Sequence, residues 1–431
     1  MSPENLIRSE MQVKLSNYCK KVSHKFYVPE QKFIKDIVSG IVATGSMSVF
    51  NIAKHTKDKT TTKKTSERFY YNLHREGFDE QLRTALYEIV CPQIKDDTII
   101  ICDESDIIKT HAQKMEGLSM VRDGSTGKQA PGYDLLNFIA LSEETAGYSL
   151  LPVTSMLIAQ DLELDTIKQM VNDRVVDIAI HSNGKGIFTF DRGYDDRKLI
   201  GFLRDNEIRF IIRGMGKRAI RDGQQELNFK QYVSEMNFRY VMPGFKAGET
   251  LKCAIKRIGV RTDDHPSKKA NSVEVNLVVV RNYKRNKQKG KDFYLLCDFA
   301  KEQLTEQEII AKAVKGYRKR WKIEEAHRQM KNDLKIERMR LASYTGLKNL
   351  NMLMWVALYF IYSIKKYIIK IAQAFPKLIC FTTKDWKRLF EFAYYRLSQF
   401  LSLCFLGVRF YDKSPYKGKW TEKQQLTISL F

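Results

Sequence analysis

The chain has 431 residues, with 73 Lys and Arg against 50 Asp and Glu, so its formal net charge is +23. This length exceeds one ordinary hydrophobic core and predicts several structural units. The charge is larger than solubility requires and predicts a polyanionic partner, with nucleic acid the leading candidate. A membrane surface also attracts basic proteins, but it requires an anchor that this sequence does not offer.

Cysteine usage and the apolar segments narrow the class of protein further. The seven cysteines are scattered and form no CxxC pair, which favours reduced thiols over disulfides or a zinc site. The N-terminus lacks a basic segment followed by an apolar one, so we expect no secretory signal. The apolar run at 350–364 is shorter than the roughly 20 residues that span a bilayer, and it predicts a buried core helix. We therefore expect a cytoplasmic, nucleoid-associated protein without a membrane partner.

Residues 1–90 are predicted to be a helical, DNA-binding domain. A helix, a turn at Gly45 and Ser46, a second helix from Ser46 or Ser48 and a third from Thr65 follow the order of a helix-turn-helix module. Basic residues at the third helix are the expected DNA contacts: Lys63, Lys64 and Arg68. A small helical bundle with no DNA contact is the alternative, because it shows the same spacing.

Residues 91–213 are predicted to form the first part of an α/β core. Short apolar segments at 97–105, 111–122, 133–143 and 147–157 predict consecutive strands. A helix at 164–182, a strand at 186–196, a helix at 196–206 and a strand at 208–215 follow. Antiparallel strands succeeded by alternating helices and strands are typical of a mixed sheet.

The remaining chain is predicted to comprise three units. Residues 214–290 read as a β-rich insertion with strands at 249–260 and 271–284. Residues 291–370 return to the core with a strand at 291–300 and a helix capped by Thr305 and Glu308. Residues 371–431 are helical and basic. Within them, 390–407 carry more apolar residues than one helix face buries, so this segment is a candidate dimer contact. The alternative is that it completes the core of the catalytic domain.

Two aspartates close apolar segments and suggest a cation site. Asp103 ends "TIIICD" and Asp191 ends "GIFTFD". Strand ends in an α/β sheet face the usual ligand crevice, and a carboxylate there is costly to bury without a positive partner. Together with Glu324 they would suit Mg²⁺ or Mn²⁺, which prefer oxygen ligands; two ions could serve phosphoryl transfer. Ordinary capping and turn chemistry is the alternative for either aspartate alone.

The segment "YRKRWKIEEAHRQMK" at 317–331 surrounds two glutamates with basic side chains. On an ideal helix Tyr317, Arg320, Glu324 and Lys331 lie within about 60° of one another. The basic residues could hold a polyanionic substrate that carboxylates alone would repel. A solvated helix with i,i+4 ion pairs is the alternative.

The spacing of Tyr317, Arg320, Glu324 and Lys331 resembles the Tyr-Arg-Glu-Lys signature of bacterial insertion-sequence transposases of the insertion-sequence-four group. "ICDESDI" and "FDRGYD" resemble the two aspartate motifs of the same family, and the resemblance covers residues 97–340. It implies an RNase H-like α/β catalytic core with a β-rich insertion, between an N-terminal helical DNA-binding domain and a C-terminal helical region.

The resemblance also implies roles for individual residues. Asp103, Asp191 and Glu324 would be the catalytic, metal-binding triad. The expected DNA contacts around them are Tyr317, Arg320, Lys331, Arg328, His327 and Arg192. Some relatives place a tryptophan of the insertion near a flipped base, but this chain's tryptophans, at 321, 355, 386 and 420, all lie outside its insertion.

The function implied is a metal-dependent DNA transposase that cuts and pastes, with a hairpin intermediate expected by analogy alone. Its partners would be double-stranded DNA, both terminal inverted repeats and target, and a second copy of the chain in a homodimer. A nuclease with the same core but no joining activity is one alternative. A DNA-binding repressor or inhibitor derived from a transposase is the other, although all three carboxylates are present.

Overall fold

The computed structural model describes residues 3–56, 59–144, 147–159, 166–222, 225–262, 272–299, 302–368, 370–371 and 393–406. In these ranges the helices are α1 Pro3–Ser23, α2 Val28–Thr44, α3 Val49–Lys54, α4 Thr62–Leu73, α5 Phe78–Val90, α6 Ile167–His181, α7 Arg197–Asp205, α8 Phe229–Ser234, α9 Glu306–Arg318, α10 Ile323–Asn332, α11 Tyr344–Ser363 and α12 Ala393–Leu406. The strands are β1 Ile99–Ile108, β2 Ser119–Arg122, β3 Gln129–Glu144, β4 Gly147–Ile158, β5 Ile187–Phe190, β6 Phe210–Gly214, β7 Ala219–Asp222, β8 Gln225–Asn228, β9 Tyr240–Pro243, β10 Glu249–Arg261, β11 Ser272–Lys284, β12 Lys287–Gln288 and β13 Phe293–Asp298.

The central part of the sheet is mixed, as the sequence predicted. Strand β1 pairs antiparallel with β3, and β3 pairs antiparallel with β4. On its other side β1 pairs parallel with β5, which pairs parallel with β6. The spatial order is therefore β4-β3-β1-β5-β6. The apolar side chains of β1 and β5 before the two aspartates are buried, which explains why those segments are continuously apolar.

The predicted strand at 111–122 is mostly wrong. Residues 111–118 form turns, and only Ser119–Arg122 is extended. Gly117 adopts a left-handed conformation with φ of 69° at this point, which interrupts the extended backbone.

The β-rich segment forms the predicted strands and extends the core sheet. Strand β13 pairs antiparallel with β6, β11 pairs with β13, and β10 pairs with β11 over its whole length. One 13-stranded sheet thus contains both the core and the insertion strands of the described residues. Most of the polar connection predicted between β10 and β11, residues 263–271, lies outside the described residues.

Helix α11 forms the centre of the helical part of the molecule. It packs against α2, α4 and α5 from the N-terminal segment and against β4 of the sheet. The stretch Tyr344–Tyr367 is long and apolar enough to cross a membrane, but 89% of its apolar window is buried inside the protein. The predicted core helix is confirmed. Residues 1–90 share one hydrophobic core with the rest of the described chain through these contacts.

The N-terminal turn has the predicted glycine. Helix α2 ends at Thr44, and Gly45 caps it in the left-handed conformation with φ of 54°. Helix α3 begins after Ser48, whose side chain accepts from the backbone N–H of Asn51. The next helix begins earlier than predicted, at Thr62. A Cβ at position 45 would lie 2.7 Å from the carbonyl oxygen of Asp333, which follows α10, so glycine also permits this close approach.

The candidate dimer segment is described only as α12. Five of its apolar side chains are buried among this chain's own residues: Tyr394, Leu397, Phe400, Leu401 and Cys404. The helix packs against α1, α2 and α11. For these residues the structure supports the alternative that the helix completes the core; the rest of residues 371–431, apart from 371 itself, lies outside the described residues.

Candidate active site

Adjacent parallel strands place the two aspartates side by side. Cys102 on β1 is the register partner of Phe190 on β5, so Asp103 and Asp191 are the next residues on neighbouring strands. Asp191 follows the end of β5, as predicted. Asp103 lies inside β1, which continues to Ile108 and pairs antiparallel with β3. Their side chains are 20% and 40% exposed, respectively, so both are accessible from one side of the sheet.

The prediction of one continuous helix through the signature segment is wrong, although Tyr317, Arg320 and Glu324 still lie at one site. Helix α9 ends at Arg318, a 3₁₀ turn covers Lys319–Lys322, and α10 begins at Ile323. The start of α9 is as predicted, because Thr305 and Glu308 form a capping box. The tighter 3₁₀ turn changes the rotation between Tyr317 and Glu324 from that of an ideal helix.

A glycine brings α9 close to the sheet immediately before the signature. A Cβ on Gly316 would lie 2.6 Å from the Cδ1 atom of Ile211 and 3.0 Å from that of Ile99. With any larger residue here, α9 or the side chains of Ile211 and Ile99 would have to shift. The close approach places Tyr317 beside Asp191, whose Oδ1 accepts a hydrogen bond from the tyrosine hydroxyl at 3.1 Å.

Arg320 lies among all three predicted triad carboxylates. Its guanidinium donates to Asp103 Oδ2 at 3.0 Å and lies 3.9 Å from Asp191 Oδ1 and 4.0 Å from Glu324 Oε1. The arginine side chain is 16% exposed, whereas that of Glu324 is 57% exposed. Two strands and the start of α10 thus direct three carboxylates towards one cationic group.

The pKa of Asp103 indicates that one guanidinium does not fully compensate the cost of burying this carboxylate. Burial raises the pKa of Asp103 to about 6, with Asp191 adding to the rise and Arg320 opposing it. Burial also raises the pKa of Asp191, but the backbone N–H of Arg192, together with Arg320 and Tyr317, more than offsets it and leaves that pKa below its usual value. Further positive charge would stabilise Asp103 as a carboxylate.

The donor set fits a hard divalent cation. All three side chains offer carboxylate oxygens, the ligands that Mg²⁺ and Mn²⁺ prefer. Among the described residues no group of three His, Cys, Asp or Glu side chains is close enough to hold a metal ion. Arg320 lies within 4.0 Å of each of the three carboxylates and supplies positive charge there.

Lys331 has a separate partner. Its Nζ donates to Asp106 Oδ2 at 2.7 Å, and the backbone N–H of Gly124 donates to Asp106 Oδ1 at 3.2 Å. Asp106 therefore connects α10 to the turn between β2 and β3. Sequence reasoning missed it, although a further acidic residue three positions after Asp103 is visible in "ICDESDI".

The other predicted DNA contacts fall into two groups. Lys63, Lys64, Arg192 and Arg328 are exposed. The remaining two have partners within the protein. Arg68 forms an ion pair with Asp36 at 2.7 Å, and His327 lies 3.1 Å from the side-chain nitrogen of Asn137.

Two further side chains next to the site were not predicted. The Arg213 guanidinium lies 6.0 Å from the centre of the Tyr317 ring, and the signal for it is a basic residue ending the apolar strand "FIIR". Tyr148 on β4 donates to both oxygens of Glu325, at 3.0 and 2.9 Å. Glu325 therefore faces the sheet, away from the carboxylates around Arg320, and no local sequence pattern indicates Tyr148 as its partner.

Residues 163–361 match the family model described as "Transposase DDE domain". No curated protein matches the chain significantly. The matched span includes Asp191, Glu324 and the whole signature segment, and it begins after Asp103. The match agrees with a molecule of mixed helix and sheet. This similarity supports a DDE transposase, and such a domain implies an RNase H-like α/β core.

Proposed function

We propose that this chain is a cut-and-paste transposase of the insertion-sequence-four group, which cleaves DNA at the ends of its element and joins those ends to a target. The observation that carries the proposal is the convergence of Asp103, Asp191 and Glu324 on Arg320. A solvated helix would not need this arrangement, whereas metal-dependent phosphodiester chemistry uses a cation-binding group of carboxylates, here beside cationic and hydroxyl donors.

In this proposal the three carboxylates hold Mg²⁺ or Mn²⁺, two ions in a complete site. When bound, such ions activate the attacking oxygen and stabilise the leaving oxygen of an in-line displacement. Arg320 then exchanges its carboxylate partners for a phosphate of the DNA end, for which its planar guanidinium is well suited. Tyr317 donates a hydrogen bond from its hydroxyl to the phosphate, and Lys331 adds positive charge from the Asp106 side.

The proposed reaction has two kinds of step. Water attacks the phosphodiester at the end of the element, and the 3′-oxygen leaves as a hydroxyl. That hydroxyl attacks the phosphodiester of the opposite strand, which forms a hairpin and releases the 3′-hydroxyl of the flanking DNA. A second hydrolysis reopens the hairpin, and the 3′-hydroxyl then attacks a target phosphodiester and displaces a 3′-hydroxyl of the target strand. The protein would act in the cytoplasm, at the nucleoid.

A strand-transfer assay tests this proposal. Duplexes that end in the precleaved inverted repeat should be joined to a target plasmid in the presence of Mg²⁺. Cleavage of uncut ends without any joining would favour the nuclease alternative. Specific binding with neither reaction would favour the repressor.

We propose that the N-terminal helices contribute to recognition of the ends. Replacing exposed Lys63 and Lys64 together with Gln should weaken binding to end DNA, and the slope of log affinity against log salt should become shallower by about 1.8, since each phosphate contact contributes about 0.9. Binding measured at several salt concentrations checks this. Exposed Lys20 and Lys21, at the end of α1, provide a matched double substitution. An unchanged slope in the Lys63 and Lys64 variant would mean that these two lysines do not contact the phosphates of the end DNA.

We also propose that the active species is a homodimer that pairs two ends, because one set of three carboxylates serves one phosphodiester at a time. Mixing wild type with an Asp191→Ala variant tests it. In paired complexes, cleavage at both ends should fall faster than the wild-type fraction. If light scattering shows a monomer and that monomer cleaves single ends at the full rate, pairing is contradicted.

A further inference from the structure

A row of buried side-chain hydrogen bonds runs from α10 through the sheet to α11. Asn351 Nδ2 donates to Ser155 Oγ at 3.0 Å, and Ser155 Oγ donates to Asn137 Oδ1 at 2.7 Å. Asn137 Nδ2 lies 3.1 Å from His327 Nε2. The first three residues are at most 1% exposed. Losing one of these bonds would leave a polar group buried without a partner, so the row is costly to break.

The direction of each bond follows from the hydrogens available. The Ser155 hydroxyl has one hydrogen, which it gives to Asn137, so its oxygen is free to accept from Asn351. Asn137 then presents its NH₂ group to His327, and Nε2 of that ring must accept. An accepting Nε2 belongs to a neutral imidazole with its proton on Nδ1. Burial, aided by the positive charge of Lys331, lowers the pKa of His327 to about 3, which agrees with a neutral ring.

The row connects the strand of one catalytic carboxylate to the helix of another. Asn137 on β3 is the register partner of Asp103 on β1, and directly opposed residues of an antiparallel pair project from the same face. His327 follows Glu324 by three positions on α10, so the two are neighbours on the helix surface. The hydrogen bond between Asn137 and His327 therefore links the backbone of Asp103 to that of Glu324.

Glu324 depends on such a link for its placement. Its side chain is 57% exposed, and its ion pair with Arg320 is long, at 4.0 Å. Weak contacts of this kind do not fix a carboxylate. The position of its carboxylate relative to Asp103 therefore depends on how α10 packs against the sheet.

We propose that Asn137 and His327 are positioning residues that set the spacing between Asp103 and Glu324, and with it the affinity of the carboxylates for a divalent cation. This inference rests on the proposed function, which assigns those carboxylates to the cation. Groups that orient metal ligands typically change metal affinity or activity by 10- to 100-fold when they are replaced. His327 thereby has a role within the protein, in place of the DNA contact expected from sequence.

A matched pair of amide substitutions tests the proposal. In His327→Gln the side-chain oxygen reaches about as far as Nε2 and can accept from Asn137, whereas in His327→Asn the oxygen ends near the position of Nδ1 and cannot. The affinity of the full-length protein for Mn²⁺, followed by the electron paramagnetic resonance of the free ion, should fall about 10- to 100-fold in His327→Asn. It should stay near wild type in His327→Gln.

DNA binding and cleavage separate this role from others. The Kd for end DNA in EDTA should be unchanged in both variants, and kcat for cleavage should fall only in His327→Asn. A purely structural role would lower the melting temperature and leave Mn²⁺ affinity unchanged in the folded protein. A DNA contact would weaken end binding in both variants.

The partner residue gives a second measurement. Asn137→Leu should lower Mn²⁺ affinity as His327→Asn does, and the double variant should lose no more than either, because both remove the same bond. If His327→Asn does not melt cooperatively, the test is the Mn²⁺ affinity of Asn137→Leu compared with that of His327→Gln. Wild-type Mn²⁺ affinity in both Asn137→Leu and His327→Asn would overturn the inference. A wild-type protein that neither binds Mn²⁺ nor cleaves ends would instead reject the proposed function.

Discussion

Single replacement of Asp103, Asp191 or Glu324 by Ala should lower the rate of end cleavage by about 1,000-fold or more. Metal Lewis acids supply several kcal/mol of transition-state stabilisation, and each 1.36 kcal/mol corresponds to about tenfold in rate. Binding to end DNA in the absence of metal should not weaken, since these carboxylates repel phosphate. Gel-shift binding in EDTA and cleavage in Mg²⁺, measured on the same preparations, check both parts.

The control for this experiment must be chosen from the structure. Glu325 is adjacent to Glu324 in sequence, but it accepts a hydrogen bond from Tyr148 and forms an ion pair with Lys322 at 2.6 Å. Its loss would disturb α10. Asp205 is a better control, because it is exposed at the end of α7 and precedes the start of β6, at the sheet edge opposite Asp191. Asp205→Ala should cleave at the wild-type rate. If an Ala variant at Asp103, Asp191 or Glu324 also cleaved at the wild-type rate, that residue would not belong to the catalytic triad.

Removal of residues 1–90 should abolish cooperative folding of the remaining chain. The deletion uncovers α11, in which Trp355, Val356 and Leu358 are fully buried. Each large apolar side chain returned to water costs roughly 1.5–3 kcal/mol, so a handful equals the whole stability of a typical domain, about 5–15 kcal/mol. The deletion also removes hydrogen bonds between residues 1–90 and α11, since Asn349 Nδ2 donates to the carbonyl oxygens of Leu73 and Arg75, each at 2.8 Å.

Thermal unfolding followed by circular dichroism measures this effect. The truncated chain should aggregate or melt without a sharp transition, whereas the full-length Lys63 and Lys64 double variant should melt like wild type. A soluble fragment 91–431 with a cooperative transition would show that the N-terminal helices are an independent domain. The truncation is therefore a test of folding, and the lysine substitutions are the cleaner test of DNA recognition.

Local patterns predicted most of the strands and the two aspartates, because continuous apolar runs ending in a carboxylate are visible within a few residues. They also predicted the cap of α9 at Thr305 and the burial of α11. Interactions between distant segments could not be predicted in this way. The pairing of Asp103 with Asn137 can be known only from the register of β1 on β3. The contact of Lys331 with Asp106 can be known only from how α10 packs against β1.

The break in the signature helix shows a similar limit. Nothing in "YRKRWKIEE" forbids a regular α-helix, and the angular argument assumed one. The structure has a 3₁₀ turn at Lys319–Lys322, in the same region where Arg320 meets Asp103 and Lys322 meets Glu325. The ion pair of Arg320 with Asp103 joins distant segments, so no local pattern indicates it.

The continuous sheet has a mechanical consequence for how DNA must be handled. Strands from β4 at one side to β10 in the insertion are joined edge to edge by backbone hydrogen bonds, including the full-length pairing of β10 with β11. A hinge between insertion and core would have to break the ladder between β6 and β13. The sheet should therefore resist deformation when DNA binds. We expect the DNA, and not the protein, to bend and to separate its strands.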